Sequence, residues 1–334
     1  SLEKYISQAV EASENHPVLI DRFLENAIEV DIDLIGDGKT FVVGGVLEHI
    51  EEAGIHSGDS AMVLPPFSLK KEMVEELIAK TKQLAQGLNI KGLMNVQYAI
   101  KDGIVYCLEV NPRASRTVPF VSKAIGISLA RLAAKVMAGK TLQELGFTEE
   151  KWPRHVSIKE SVFPFIKFPG VDIILSPEMK STGEVMGIDE ELGRAFYKAQ
   201  QAASARLPLK GKAFISVKKE DRERILPIAE KMAKLGFSIV ATRGTGEFLR
   251  KSGVKAQTVL KLAEGRPNIG DLIRNGEIKL LINTPSGKGP MLDEAKIRSL
   301  AVSFNIPCIT TINAARVAVS GIESAKRGIL GVRA

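Results

Sequence analysis

The chain has 334 residues, 45% of them hydrophobic and 25% charged, with a formal net charge of +7. That is a globular composition long enough for two domains, with no apolar run able to span a bilayer and no basic-plus-apolar leader pattern. Lysine and arginine are spread along the chain rather than gathered in a block, so the charge points to small phosphorylated ligands and acidic partner surfaces, and away from nucleic acid.

Residues 1 to 14 put Leu2, Tyr5, Ile6, Ala9 and Val10 on one helical face. With no strand before it and no methionine at its start, this helix reads as the opening of a fragment. Pro17 to Leu24 reads as an apolar strand that breaks into a polar step at Asp21 and Arg22. Glu29-Val30-Asp31-Ile32-Asp33-Leu34-Ile35 alternates acid and hydrophobe, turns at Gly36-Asp37-Gly38 and returns through Thr40 to Val43. This is a hairpin with its acids on one face, and that face is expected to be solvated at Asp31 and Asp33. Glu48 to Ser60 is dense in ligand-capable side chains. The spacing of His49 and His56 across Gly54 matches no zinc pattern, and the carbonyls and hydroxyls of this loop suit a nucleotide and a hard cation better. Ser68 to Leu88 predicts a helix capped by Ser68, with Met73, Leu77, Ile78, Leu84 and Leu88 as its buried stripe.

The most informative stretch is Leu93 to Phe120, two β-branched, aromatic-rich strands joined at Asp102-Gly103. Glu109 and Asn111 fall on one face of the second strand. Pro112 ends its ladder and leaves Arg113 and Arg116 on the loop beyond. Carboxylate and amide oxygens suit Mg²⁺, and guanidinium forks suit phosphate oxygens. Parity sharpens the point. A simple two-residue turn would set Gln97 opposite Leu108, so for Gln97 to share a face with Glu109 the hairpin needs a three- or five-residue loop, or a bulge.

Val121 to Gly139 predicts a further amphipathic helix. Phe163, Phe165 and Phe168 read as packing anchors, and Cys107 and Cys308 as two buried thiols in keeping with a reducing cytoplasm. Pro208-Leu209-Lys210-Gly211-Lys212 marks a domain boundary. Beyond it, strands near 213–217, 238–242, 256–260, 279–284 and 308–312 alternate with helical stretches, which predicts an open, doubly wound parallel sheet. At its carboxyl edge, Ala241-Thr242-Arg243-Gly244-Thr245-Gly246 offers hydroxyls and backbone amides at a helix start, suited to a phosphate. Asn283-Thr284-Pro285-Ser286-Gly287-Lys288-Gly289 ends another strand at the same edge.

Met94-Asn95-Val96-Gln97, followed by Glu109-Val110-Asn111-Pro112-Arg113-Ala114-Ser115-Arg116-Thr117-Val118-Pro119-Phe120, resembles the ATP-grasp fold, and within it the large subunit of carbamoyl-phosphate synthetase. The similarity runs across essentially the whole chain. It implies an α/β fold class: a partial ATP-grasp domain over 1–205, an antiparallel sheet with helices and with its lid lobe mostly missing, then a doubly wound methylglyoxal-synthase-like domain over 206–334. The implied activity is ATP-dependent phosphorylation of carbamate to carbamoyl phosphate, serving pyrimidine and arginine biosynthesis, and the fragment by itself is expected to be inactive. Two other readings stand beside it: a biotin-carboxylase-like ATP-grasp ligase, which the second domain argues against, and a non-catalytic nucleotide-sensing remnant, which the intact polar set argues against.

By the same resemblance, ATP lies along Asp21, Arg22 and Leu24, reaches Glu29 on the ribose side, and contacts Gly54, Ile55, His56 and Ser57. Gln97, Glu109 and Asn111 hold Mg²⁺ or Mn²⁺, while Arg113 and Arg116 hold carbamate and the transferring phosphoryl group. Potassium sits among Glu29, His49, Glu52, Ile55 and Ser60, with Glu52 standing where a glutamine is expected. The effectors UMP and IMP contact Ser216, Arg222, Thr242, Thr245, Lys261 and Asn283. Here Arg222 replaces an expected lysine, and Pro285 an expected hydroxyl. Ornithine maps to Glu51, Asp59, Glu160 and Thr310, beside Cys308 in place of an aromatic. The implied partners are a glutaminase small subunit and the rest of the large subunit.

Overall fold

The structure is a computed structural model that describes residues 2–13, 17, 18, 20, 23–168, 170–285 and 291–328. An amphipathic helix opens it (α1, Leu2–Ala12), and the described residues between Pro17 and Leu24 form no strand. Asp21 and Arg22 lie outside the described residues.

The first sheet is antiparallel throughout. Its strands are β1 (Ile28–Asp37), β2 (Phe41–His49), β3 (Met62–Leu64), β4 (Lys91–Lys101), β5 (Ile104–Asn111), β6 (Val156–Val162) and β7 (Gly183–Asp189), in the order β5-β4-β1-β2-β3-β6-β7. Val30, Ile32, Leu34, Met94, Val96 and Tyr98 pack on one face against α2 (Lys71–Gly87). Apolar residues of the other face, among them Ile35, Leu47 and Leu93, pack against α3 (Thr117–Ile125) and α4 (Leu129–Met137).

Three expectations are corrected. Ser68 does not cap α2, whose N-cap is Lys70. The buried Glu48 carboxylate takes the Phe67 and Ser68 N–H groups, each at 2.9 Å, together with the Ser68 hydroxyl, so Ser68 is spent on the preceding turn. The helix read over 121–139 is two helices. Gly126 ends the first with φ +71°, and Ser128 starts the second by accepting the Arg131 N–H at 3.3 Å. Cys107, finally, is exposed on the edge strand β5, while the Cys308 thiol is buried enough to be pushed up to about 12.

The β4–β5 hairpin resolves the parity question with two devices at once. Asp102 (φ +52°) and Gly103 (φ +78°) form the two-residue turn that parity alone would exclude, pairing Lys101 with Ile104. Leu108 is then an extra residue: Tyr98 pairs with Cys107, but Gln97 pairs with Glu109 and Asn95 with Asn111.

From β7 the chain passes through α5 (Leu192–Ala202) to the second sheet, which is parallel in the order β10-β9-β8-β11-β12. These strands are β8 (Gly211–Ser216), β9 (Phe237–Ala241), β10 (Ala256–Thr258), β11 (Ile278–Asn283) and β12 (Cys308–Ile309). Helices α6 (Arg222–Lys234), α7 (Arg243–Lys251), α8 (Ile269–Arg274), α9 (Met291–Ser303) and α10 (Ile312–Lys326) connect and follow them. Residues of α6 and α10 join the core on one face, those of α8 and α9 on the other, so the sheet is doubly wound. The order reverses between β8 and β11, the point at which such sheets leave a crevice at their carboxyl ends.

Candidate functional site

The acids of β1 are buried. Asp31 is 2% exposed and Asp33 has no exposed surface. They lie on the face that carries Gln97 and Asn95, because Asp31 pairs with Gln97 and Asp33 with Asn95. The expected solvated row is thus a polar seam inside the sheet, and each acid has been given donors. Asp33 accepts from Asn95 Nδ2 (3.0 Å), Ser115 Oγ (2.6 Å) and Thr117 Oγ1 (2.6 Å). Burial raises its carboxyl to about 6 against these bonds, which pull it down. Ser115 and Thr117 bracket Arg116 at the start of α3, so Asp33 anchors the loop that carries Arg113 and Arg116.

His49 stands between two carboxylates, Nε2 at 3.0 Å from Asp31 and Nδ1 at 3.3 Å from Glu29. Burial works against its protonation, yet the two acids prevail and raise it to about 9. The two carboxylates thus favour the protonated ring, in which both nitrogens are donors. Glu29 also takes the Gly54 N–H at 3.0 Å, which ties the 54–60 loop to the seam. In that loop His56 Nδ1 accepts the Gly58 N–H at 2.9 Å, and Ser57 Oγ accepts from Gln97 Nε2 at 3.2 Å. Lys159, 1% exposed, donates to the Ser60 carbonyl at 2.8 Å.

Asn111 Nδ2 donates to Glu109 Oε1 at 2.7 Å. Gln97 pairs with Glu109 across the strands, and Asn111 follows on the same face, so the three residues offer hard-oxygen donors of the kind that suits Mg²⁺ or Mn²⁺. Among the described residues no group of three or more His, Cys, Asp or Glu is placed to hold a metal.

At the carboxyl edge of the second sheet lies a cavity of about 280 Å³ walled by Ser216, Lys218, Arg222, Thr242, Thr245 and Lys261. Ser216 Oγ and Thr242 Oγ1 are 3.1 Å apart, and Thr245 Oγ1 accepts the Val217 N–H at 3.2 Å. Gly244 leaves room for the Arg222 guanidinium: a Cβ at that position would stand 2.5 Å from Arg222 Nη2 and push it aside. Lys218 and Arg243 add cations that spacing did not single out, although Lys218 follows a strand end and was readable on that ground. Asn283 is not on the wall. It is buried, donates to the Ser216 carbonyl at 2.9 Å and accepts from Arg298. Residues 286–290 of the neighbouring loop lie outside the described residues.

A second cavity, about 330 Å³, opens where the two units meet and is lined by Glu51, Glu160 and Thr310, the stacked Phe163 and Phe165, and Cys308. Burial and the neighbouring Glu51 raise Glu160 to about 8. Glu51 accepts from Thr311 Oγ1 at 3.0 Å. Asp59 does not line this cavity, because its carboxylate accepts the Lys180 and Ser181 N–H groups. Glu52 turns toward the second unit and lies 3.6 Å from Arg224.

The family model for the carbamoyl-phosphate synthase L chain, ATP binding domain matches residues 1–145, and that for the MGS-like domain matches 224–310. The carbamoyl phosphate synthase large chain of Archaeoglobus fulgidus is 56% identical over 98% of this chain. The corresponding C-terminal sections of Methanocaldococcus jannaschii and Aquifex aeolicus are 54% and 53% identical over 99% and 98% of it. The chain belongs to the carbamoyl phosphate synthase large-chain family. It spans 30%, 55% and 64% of those three relatives. Among solved structures, a biotin carboxylase domain of a single-chain bacterial carboxylase matches at 17% identity and a TM-score of 0.46, over 61% of this chain and 57% of that one. No described helix is long and apolar enough to cross a membrane.

Proposed function

We propose that this chain is the part of a carbamoyl phosphate synthase large chain in which ATP phosphorylates carbamate, with nucleotide control exerted through the second unit. The observation that carries the reading is the pairing of Gln97 with Glu109 and of Asn95 with Asn111, at the end of which the strand delivers Arg113 and Arg116. Gln97, Glu109 and Asn111 would hold Mg²⁺ or Mn²⁺, and the bound metal supplies charge neutralisation to phosphoryl oxygens. The chain's own residues do the positioning. Arg113 and Arg116 would bind carbamate and the transferred group, held in place by Asp33 through Ser115 and Thr117. No covalent nucleophile is needed. The 54–57 loop, Leu24, Asp21 and Arg22 would line ATP. Glu29 and Ser60 with the carbonyls of His49 and Ile55 would surround K⁺, while Glu52, turned toward Arg224, would stand outside that set.

The cationic cavity at Thr242 and Thr245 would take a nucleoside monophosphate, UMP or IMP. The junction cavity, whose wall carries Glu51 and Glu160, would take an amino acid of the ornithine class through its ammonium group. A glutaminase small subunit would supply ammonia, the rest of the large chain would complete the ATP site, and the assembly would work in the cytoplasm.

Thermal-shift titration of the chain tests both halves, since a ligand that binds only the folded state raises its midpoint. UMP or IMP is expected to raise it in the wild type and not in Thr242→Ala. Mg·ATP is expected to raise it in the wild type and less in Glu109→Ala. No shift with either monophosphate sinks the regulatory half, and an Mg·ATP shift that Glu109→Ala leaves intact sinks the metal assignment.

A further inference from the structure

Between β6 and β7 the chain runs from Gly170 to Thr182 with neither helix nor strand. Compact domains keep such bare stretches mostly where they act. One end lies on the second unit. The Gly170 N–H donates to Ser299 Oγ at 3.1 Å, and Asp172 makes a two-point ion pair with Arg298, Nε to Oδ1 at 2.8 Å and Nη2 to Oδ2 at 2.5 Å. Arg298 is 3% exposed, and its Nη1 donates to Asn283 Oδ1 at 2.5 Å. Asn283 in turn holds the carbonyl of Ser216, in the wall of the cationic cavity.

The other end lies on the 54–60 loop of the first unit. The His56 N–H donates to the Ser176 carbonyl at 2.9 Å, and Asp59 takes the N–H groups of Lys180 at 2.7 Å and Ser181 at 2.9 Å. The segment is braced internally as well, because Lys180 Nζ returns to the Ile174 carbonyl at 2.5 Å. Burying a guanidinium is costly unless its donors are satisfied. Here one nitrogen serves Asn283, which holds a carbonyl of the cavity wall, and two serve a carboxylate that belongs to the other unit.

We infer that Arg298 is a positioning residue that couples the cationic cavity to the 54–60 loop, with the segment from Gly170 to Thr182 as the rod between them. A ligand that shifts Ser216 or Asn283 changes the hold on Asp172, and the rod transmits the change to His56 and Asp59. By linkage, a ligand at the 54–60 loop alters the cavity in return. The ligand arm of the test below rests on the nucleotide reading of that cavity; the mutational arm does not.

Backbone hydrogen exchange on the 334-residue chain tests the coupling. Asp172→Asn breaks the pair. The double variant Asp172→Leu with Arg298→Met removes both charges together and guards against an unfolded single variant. In either, the His56, Lys180 and Ser181 amides are expected to exchange about tenfold faster while β1 and β4 keep wild-type rates. Acceleration confined to residues near 172 and to α9 overturns the coupling. In the ligand arm, saturating UMP is expected to slow the same three amides in the wild type and not in the double variant. UMP that binds the wild type, by calorimetry, and leaves them unchanged overturns it too. If UMP produces no binding heat, the nucleotide reading of the cavity falls and the mutational arm alone decides.

Discussion

Asp33 shows how one side chain is set by its surroundings. Its folded carboxyl titrates near 6 rather than 3.8, so the folded chain holds this proton more tightly than the unfolded one. Asp33 therefore costs stability as pH rises from about 4 through about 6, by about 3 kcal/mol at most, and the cost is complete above that window. Asp33→Asn does not titrate there. Unfolding free energies from urea titrations at pH 4 and pH 6.5 should fall less steeply with pH in the variant than in the wild type, and equal slopes would show that Asp33 ionises freely. Gly244 offers a second residue-scale test. In Gly244→Ala the new methyl displaces the Arg222 guanidinium, and UMP affinity by calorimetry should drop about tenfold, the worth of one charge-assisted hydrogen bond. Unchanged affinity would remove Arg222 from the site. Neither position was legible in this form from sequence. Alternation said that Glu29, Asp31 and Asp33 share a face, but what covers that face is decided by Ser115 and Thr117, more than 80 positions away.

At the scale of elements, the β4–β5 hairpin was the most legible part, because parity and turn chemistry are both local. Turn signal and side-chain row conflicted by one residue, and the extra residue Leu108 is how the chain satisfies both. Deleting Leu108 should keep both the turn and the row, because Glu109 then follows Cys107 directly and still faces Gln97. Mn²⁺ binding by this chain, followed by water-proton relaxation, should survive that deletion and be lost in Glu109→Ala. Loss in the deletion variant would mean that the bulge itself shapes the metal site, and retention in Glu109→Ala that the metal is held elsewhere. Helix boundaries were less legible for a physical reason. Ser68 has the chemistry of a cap but is claimed by Glu48, and Gly126 looks like a tolerated helical glycine until its positive φ ends α3. The parallel strands of the second unit were read to within a few residues, since apolar runs such as Ala213 to Ile215, Ile239 to Ala241 and Leu280 to Ile282, followed by Ser, Thr and Asn, leave little ambiguity.

At the scale of the whole molecule, composition and the Pro208-to-Lys212 break suggested two domains, and two sheets are present, but their cores are not separate. One continuous buried cluster takes in Ile50, Val63, Ile158 and Phe196 of the first unit together with Ile215, Ile282, Val317 and Ile322 of the second. The seam is built by α5 against α10, where close approach depends on Gly193: a Cβ there would stand 2.7 Å from both the Ser320 carbonyl oxygen and Ser324 Oγ. Backbone cannot yield as a flexible side chain can, so Gly193→Ala should cost about 1–3 kcal/mol. The cost should fall on the joint rather than on either sheet. Trp152, the single tryptophan, reports on the first unit, while far-UV circular dichroism averages over both. With a shared core, the two signals should follow one urea transition in the wild type. In Gly193→Ala the midpoint should fall and the two curves should separate as the units begin to unfold independently. Separate curves already in the wild type would mean that the seam is too weak to make the two units one cooperative body, and a rod between their sites would then be coupling two largely independent folds.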